Sequence, residues 1–277
     1  MVKTGIDVSY AQGVVDWEKV KNSGIDFAII RIGFCYNDGT LKEDAQFKNN
    51  IENAIKAGMD VGIYLYSYAI DAKAARKAAQ AVIEKVKPYQ LTYPIAFDIE
   101  YESIYTAAGK KANNTSICMA FLDEVEKAGY YAMLYCSKDF IDSYLLPENL
   151  EKYDKWIAQY SNQCTSKHKF GIWQYTSTAR VAGVNGNVDK NYAFKDYPSI
   201  IKKMGKNTLY TINVVCYNNT VVDDELFNSL SQRGYFTFRS SKNEICVGKF
   251  DSVSEANLTL KDLNKKGYSG KIVEYPN

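Results

Sequence analysis

Asp98 and Glu100 close a short apolar run, Pro94-Ile95-Ala96-Phe97-Asp98-Ile99-Glu100. The run has strand character, and strand side chains alternate faces, so the two carboxylates point the same way with Cβ atoms about 6–7 Å apart. Paired carboxylates of this kind suit hydrolysis of a glycosidic bond. One acid protonates the leaving oxygen, and the second serves as base, nucleophile or electrostatic stabiliser. The spacing leaves retention and inversion both open, because flexible side chains reach either separation, roughly 5–5.5 Å or 6.5–9.5 Å. The like charge of Asp98, together with partial burial, is expected to raise the pKa of Glu100. The competing reading makes both acids solvated strand-end residues ahead of a loop, since perturbed carboxylates also occur in structural networks.

Such a pair needs a scaffold, and the rest of the chain supplies an alternation of apolar strands and amphipathic helices. Strands are predicted at Gly5–Val8, Asp26–Phe34, Val61–Ala69, Ile95–Glu100, Tyr131–Cys136, Trp156–Tyr160, Phe170–Thr176 and Asn187–Tyr192. Helices are predicted at Trp17–Asn22, Gln46–Ala57, Ala72–Lys87 and Ser116–Lys127, with Gly58 and Gly129 as stops. Early βα units followed by closely spaced strands predict an α/β chain whose barrel begins as a (β/α) barrel and loses helices toward its end. In such barrels chemistry sits at the C-terminal strand ends. Asp7, Arg31, Tyr64, Tyr66, Asp98, Glu100, Trp173 and Asp189 all fall there or just beyond. Tyr64, Tyr66 and Tyr68 share one face by period two, and Trp173 and Tyr175 share another. Aromatic rings offer platforms to sugar C–H faces, and Tyr64 and Trp173 are the preferred candidates, against barrel packing as the alternative. Arg31 either contacts a sugar substituent or pairs with Asp7. The pairing is preferred, because strand-end charges inside a barrel need partners, and it would hold Asp7 ionised.

Around Lys206-Asn207-Thr208 the pattern restarts. Strand, helix, strand, strand, helix, strand follow at Tyr210–Tyr217, Asp224–Arg233, Tyr235–Arg239, Glu244–Phe250, Ser254–Lys266 and Lys271–Tyr275. This βαββαβ order predicts a small α+β domain over 210–277, after a first domain over 1–205 and a linker at 206–209. Gly234-Tyr235 and Gly267-Tyr268 each follow a helix, which hints at an internal two-fold βαβ repeat.

Several function classes are set aside by composition. The chain has 277 residues and a net charge of +2, so no nucleic-acid footprint is visible. No apolar run approaches the ~18–20 residues of a membrane span. His168 is the only histidine, which disfavours a zinc amidase or peptidase, and no metal or cofactor is called for. Cys164 lies near His168, but no pattern of a Cys–His nucleophile surrounds them. The six cysteines have no CxxC spacing and are expected to be reduced thiols.

Gly5-Ile6-Asp7-Val8-Ser9, Phe97-Asp98-Ile99-Glu100, Trp173-Gln174-Tyr175 and Gly186-Asn187-Val188-Asp189 together resemble the glycoside hydrolase family 25 lysozymes, the N,O-diacetylmuramidases of the Chalaropsis type. The resemblance covers about residues 3–205. It implies a distorted TIM-like barrel of five βα units plus three strands. It also implies Glu100 as general acid. Asp98 would either orient and polarise the substrate acetamido group or stabilise charge directly, and Asp7 and Asp189 would complete the cleft floor. The implied substrate is the glycan strand of bacterial peptidoglycan, cut at the β-1,4 bond between N-acetylmuramic acid and N-acetylglucosamine. Alternatives are a glucosaminidase or chitinase-like hydrolase on the same scaffold, and a catalytically inert glycan-binding protein. The stretch from Ile245 to Asn264 resembles the second half of a SPOR domain, which implies a wall-binding module; the alternative is a generic domain for dimerisation or stability. The opening Met-Val-Lys-Thr-Gly-Ile-Asp lacks the features of a secretory signal. The expectation is a phage or prophage endolysin held in the cytoplasm until lysis, or else an exported enzyme whose leader has been removed.

Overall fold

The structure, a computed structural model, describes residues 2–104, 110–206, 210–214, 222–240, 243–250 and 253–275. The chain divides into two compact units, 1–206 and 207–277.

The first unit is built on strands β1 (Lys3–Val8), β2 (Phe27–Cys35), β3 (Leu41–Glu43), β4 (Asp60–Ser67), β5 (Ile95–Asp98), β6 (Ala132–Ser137), β7 (Asp154–Ala158), β8 (Ile172–Ala179) and β9 (Val188–Ala193). Their order is β1-β9-β8-β7-β6-β5-β4-β2-β3, and β1 also pairs with β2, so eight strands close into a barrel with β3 as an outlying hairpin strand. Helices α1 (Trp17–Asn22), α2 (Phe47–Lys56), α3 (Ala72–Val86), α4 (Lys111–Lys127) and α5 (Lys138–Tyr144) follow β1, the β2–β3 hairpin, β4, β5 and β6. No helix separates β7, β8 and β9. The barrel is therefore five βα units plus three strands, as the resemblance implied. Neighbouring barrel strands are parallel except around β9, which runs antiparallel to both β8 and β1, and the outlying β3 is antiparallel to β2. Residues 180–187 alone join β8 to β9, too short a path for the crossover that a parallel neighbour requires.

Parallel strands covered on both faces must be apolar on both, and β2, with sequence FAIIRIGFC, is. Residues such as Ile30, Ile63, Phe97 and Leu134 face outward and pack against the helices. Phe27, Ile29, Ala96, Met133 and Trp156 face inward and fill the barrel. Gly5 makes room for this filling, because a Cβ there would stand 2.3 Å from the Phe27 ring. Phe27 in turn stacks on Tyr93 at 4.3 Å between centroids. Helix α6 (Tyr197–Lys203) closes the N-terminal end of the barrel with Tyr197 and Ile201. The opposite end stays open. Lys206, expected as the first linker residue, is tied to the first unit by its ammonium to Glu126 and its amide to Ile201 O.

The second unit contains β10 (Tyr210–Val214), α7 (Val222–Gln232), β11 (Thr237–Arg239), β12 (Ile245–Phe250), α8 (Val253–Lys265) and β13 (Gly270–Glu274). Its sheet order is β11-β12-β10-β13, all antiparallel. Ile212, Val247, Leu230 and Leu263 form a core between the sheet and its helices. The predicted strand residues 215–217, Cys216 among them, lie outside the described residues, as do linker residues 207–209.

Candidate active site

Alternation along β5 holds as expected. Ile95, Phe97 and Ile99 enter the outer core, so Ala96, Asp98 and Glu100 face the barrel interior. The strand itself ends at Asp98, and Glu100 stands just past it, with its amide donating to Ser103 Oγ at 3.0 Å. Asp7 on β1 is directly opposite Asp189 on β9, so both carboxylates share the inner face. Arg31 and Tyr64 are register partners on β2 and β4, and Tyr64 is partnered by the inward Ala96. Asp7, Arg31, Tyr64, Tyr66, Asp98, Glu100 and Asp189 thus converge on one mouth.

Asp7, Asp98, Glu100 and Asp189 are each held above the ordinary carboxylate range. Asp98 is buried, and desolvation, followed by the charges of Glu100 and Asp7, pushes its carboxyl well up, against the pull of Arg31. Glu100 is raised by desolvation first, then by Glu102 and Asp189, while Tyr135 favours its ionised form. The neighbour expected to lift Glu100, Asp98, is instead the one lifted by it. Asp189 is raised by burial to about 6. Asp7 is raised well up by burial and by Asp189, and the two share a hydrogen bond that needs one proton between them.

Asp7 Oδ2 accepts from Gln174 Nε2 at 3.0 Å and from Asn191 Nδ2 at 2.8 Å. Neither amide is free to turn. Trp156 Nε1, a donor only, is bound to Asn191 Oδ1 at 2.8 Å, which leaves the Asn191 NH2 for Asp7. The phenols of Tyr135 and Tyr160 donate to Gln174 Oε1 at 2.8 and 3.0 Å, which does the same for Gln174.

The expected Arg31–Asp7 pair does not form. Arg31 Nε binds Asp44 Oδ2 at 2.7 Å, and its guanidinium lies over the Tyr10 ring at 4.8 Å. The reason is the β2–β3 hairpin, which returns the chain so that Asp44 N reaches Ile32 O and its buried carboxylate stands beside Arg31. Asp7 relies on neutral amides instead, and it is not held ionised. Trp173 is also not brought to the mouth. It pairs with the outward Ile157, donates Nε1 to Gln159 O at 2.8 Å, and lies with Tyr175 and Tyr192 on the outer face that lacks helices. Tyr66 reaches the rim, where its hydroxyl donates to Glu102 Oε2 at 2.6 Å.

A cavity of about 530 Å³ opens beside Glu100, walled by residues that include Tyr101, Tyr135, Lys138 and Tyr160. A second cavity, about 540 Å³, is lined by Lys155 and His168 among others and contains none of the clustered acids. Size does not choose between them, but chemistry does. Among the described residues no group of His, Cys, Asp and Glu could hold a metal ion. The five described cysteines are unpaired thiols.

Sequence reasoning missed Gln174, Asn191, Asp44, Glu102, Tyr135 and Tyr160. Gln174 carried a usable signal, because it alternates with Trp173 and Tyr175 and so must face the opposite way from them. Asp44 carried none, since only the hairpin places it.

A closed barrel with carboxylates gathered at its open C-terminal mouth defines the chain as a glycoside hydrolase. The sequence profile of glycosyl hydrolases family 25 matches residues 6–184, and the chain belongs to that family. It is 27% identical over 202 residues to lysozyme M1 of Streptomyces globisporus, covering 68% of this chain and 66% of that protein. It is 25% identical over 187 residues to an autolytic lysozyme of Clostridium acetobutylicum, covering 67% and 54%. Among solved structures, the modular autolysin LytC of Streptococcus pneumoniae superposes with a TM-score of 0.62 at 30% identity, over 70% of this chain and 47% of that one. The chain thus spans about half to two thirds of the length of these relatives.

Proposed function

We propose that the chain is a muramidase that hydrolyses the β-1,4 bond between N-acetylmuramic acid and N-acetylglucosamine in bacterial peptidoglycan. The observation that carries this reading is the pair Asp98 and Glu100 on one inner face, beside an open cavity, with the Glu100 pKa raised by burial. Glu100, protonated, gives its proton to the glycosidic oxygen as the bond breaks. Asp98 Oδ1 is buried and has no hydrogen-bond partner in the protein. An unpartnered buried acceptor is costly, and a substrate acetamido N–H would satisfy it. That contact would draw Asp98 toward its ionised form and make the acetamido oxygen a better nucleophile at the anomeric carbon. Tyr64, packed edge-on to Trp156 below the acids, supports the floor of the site.

The second unit is read as a wall-contacting module. Its helix-free sheet face carries Phe236, Phe238 and Tyr275, with ring centroids 5.8 Å apart for Phe236–Phe238 and 5.0 Å for Phe238–Tyr275, and Lys249 over Tyr275 at 4.6 Å. Phe236 is 61% exposed, and such rings suit stacking on sugar faces.

The test is digestion of purified walls followed by reduction of the new chain ends. A muramidase leaves N-acetylmuramic acid at the reducing end, a glucosaminidase leaves N-acetylglucosamine, and a glycan-binding protein releases nothing. If wild type clears walls no faster than Glu100→Gln, the hydrolase reading fails.

A further inference from the structure

The mouth described above is strongly acidic. Asp7, Asp98, Glu100, Glu102 and Asp189 influence one another there, and of the cations nearby Arg31 is occupied by Asp44 at 2.7 Å. Peptidoglycan is itself anionic, because its muramic acid units carry a lactyl arm that ends either in a free carboxylate or in a peptide bearing carboxylates. Among carboxyl groups such a substrate finds no charge partner unless a cation receives it.

One lysine is placed to do so. Lys138 lies in the wall of the cavity that also contains Glu100. It is the first residue of α5, directly after the C-terminal end of β6, where the Ser137 hydroxyl caps the helix by accepting from Phe140 N at 3.1 Å. Its side chain is 26% exposed, enough to reach a ligand without a full hydration shell. Its ammonium donates to Asp139 Oδ1, an exposed carboxylate in the same cavity wall, at 3.3 Å, and Asp142 is 3.7 Å away. Asp142 is already committed, to His168 at 2.9 Å and Lys167 at 3.1 Å. The ammonium of Lys138 is therefore held at the cavity wall by a long contact to an exposed carboxylate, which an arriving carboxylate at closer range displaces. Tyr101 and Tyr160 in the same wall offer apolar surface to the arm that a carboxylate would end.

We propose that Lys138 is the carboxylate-recognising residue of the cleft and selects glycan that carries the anionic lactyl or lactyl-peptide arm over plain N-acetylglucosamine polymer. This rests on the reading of the cleft as one that takes peptidoglycan. Lys138 binds and does no chemistry, so its removal acts on KM and leaves kcat in place.

The experiment compares wild type, Lys138→Met and Lys138→Arg on native walls, on walls whose carboxylates have been converted to methylamides, and on glycan strands stripped of peptide. Lys138→Met is expected to raise KM about tenfold on native walls, the scale of one charge-assisted contact, and Lys138→Arg to restore most of it. On neutralised walls wild type falls to the level of Lys138→Met, and the variant loses nothing further. A loss kept on stripped strands assigns the lactyl carboxylate, and a loss seen only with peptide present assigns the stem. Lys56→Met, at an exposed lysine on α2, controls for general attraction to the wall. An equal loss on native and neutralised walls, a loss in kcat alone, or no loss overturns the proposal. Pelleting of Glu100→Gln and Glu100→Gln/Lys138→Met with the same three substrates gives the contrast without turnover, so failure of the hydrolase reading leaves this test intact.

Discussion

Gln174 is fixed from three sides, and its consequences reach Glu100. Two phenols donate to its oxygen, and its nitrogen donates to Asp7. Tyr135 has one proton to give, and Gln174 and Glu100, both within its reach, compete for it. Gln174→Leu frees Tyr135 to favour ionised Glu100, and the alkaline limb of the kcat/KM profile is expected to move to lower pH. Glu102→Gln should move the limb the same way by a different route. Glu102 is the largest charge acting to raise Glu100, so its removal lowers the pKa of the proton donor. In both variants activity persists at acid pH and fails earlier on the alkaline side, which a pH–rate series measures. An unmoved limb would mean that Glu100 is not the group that titrates.

The elements show where packing overrides local preference. The apolar strands are legible from sequence because burial on both faces demands unbroken runs, as in β2 and β5. Helix α4 is less so. The low helix propensity of Asn113-Asn114-Thr115 predicts a start near Ser116, yet the helix begins at Lys111. Tertiary bonds win there, since Asn114 Nδ2 reaches Tyr144 O at 3.1 Å and Thr115 Oγ1 accepts from Leu146 N at 2.8 Å. Strand β3, three residues long, is too short to repeat a pattern, and α5 and α6 escape the reading as well. The acids at strand ends were legible for the same reason as the strands. The partners of Arg31 and Asp7 were not, because hairpin return and barrel closure choose them. Two substitutions test the packing. Gly5→Ala should cost about 1–3 kcal/mol or prevent folding, since the Phe27 ring has nowhere to go. Asn50 in α2 is fully buried with neither amide atom bonded, so Asn50→Leu should raise stability by ~1–2 kcal/mol in denaturant melts. A loss at Asn50 would mean that the amide has a partner in solution.

At the scale of the whole molecule, the acid cluster is a cost of folding at neutral pH. A carboxyl whose pKa is higher folded than unfolded stabilises the fold while it is protonated. That contribution is complete below the unfolded value, near 4, and disappears as pH rises through the folded value. For Asp189 the window runs from about 4 to about 6. Melting temperature is therefore expected to fall between these values, and Asp189→Asn should flatten the fall and raise stability at pH 7 while damaging activity. A flat wild-type profile would deny the burial of these charges. The division at 206 carries a second expectation. A 1–206 fragment keeps α6 and the Lys206 anchor, so it should fold and retain cleavage of soluble glycan while losing affinity for intact walls. Unchanged wall affinity would remove the role assigned to the second unit.

The bond from Trp156 to Asn191 gives the molecule an optical sensor. An indole whose N–H ends on an amide that in turn holds a carboxylate feels any change of charge at Asp7 as a shift in its excited-state dipole energy. With Trp17 and Trp173 replaced by phenylalanine, the emission of the remaining indole should report the proton shared by Asp7 and Asp189 in real time. The filling of the barrel, which elsewhere only supports the acids, would then let a stopped-flow fluorimeter watch a glycan arrive.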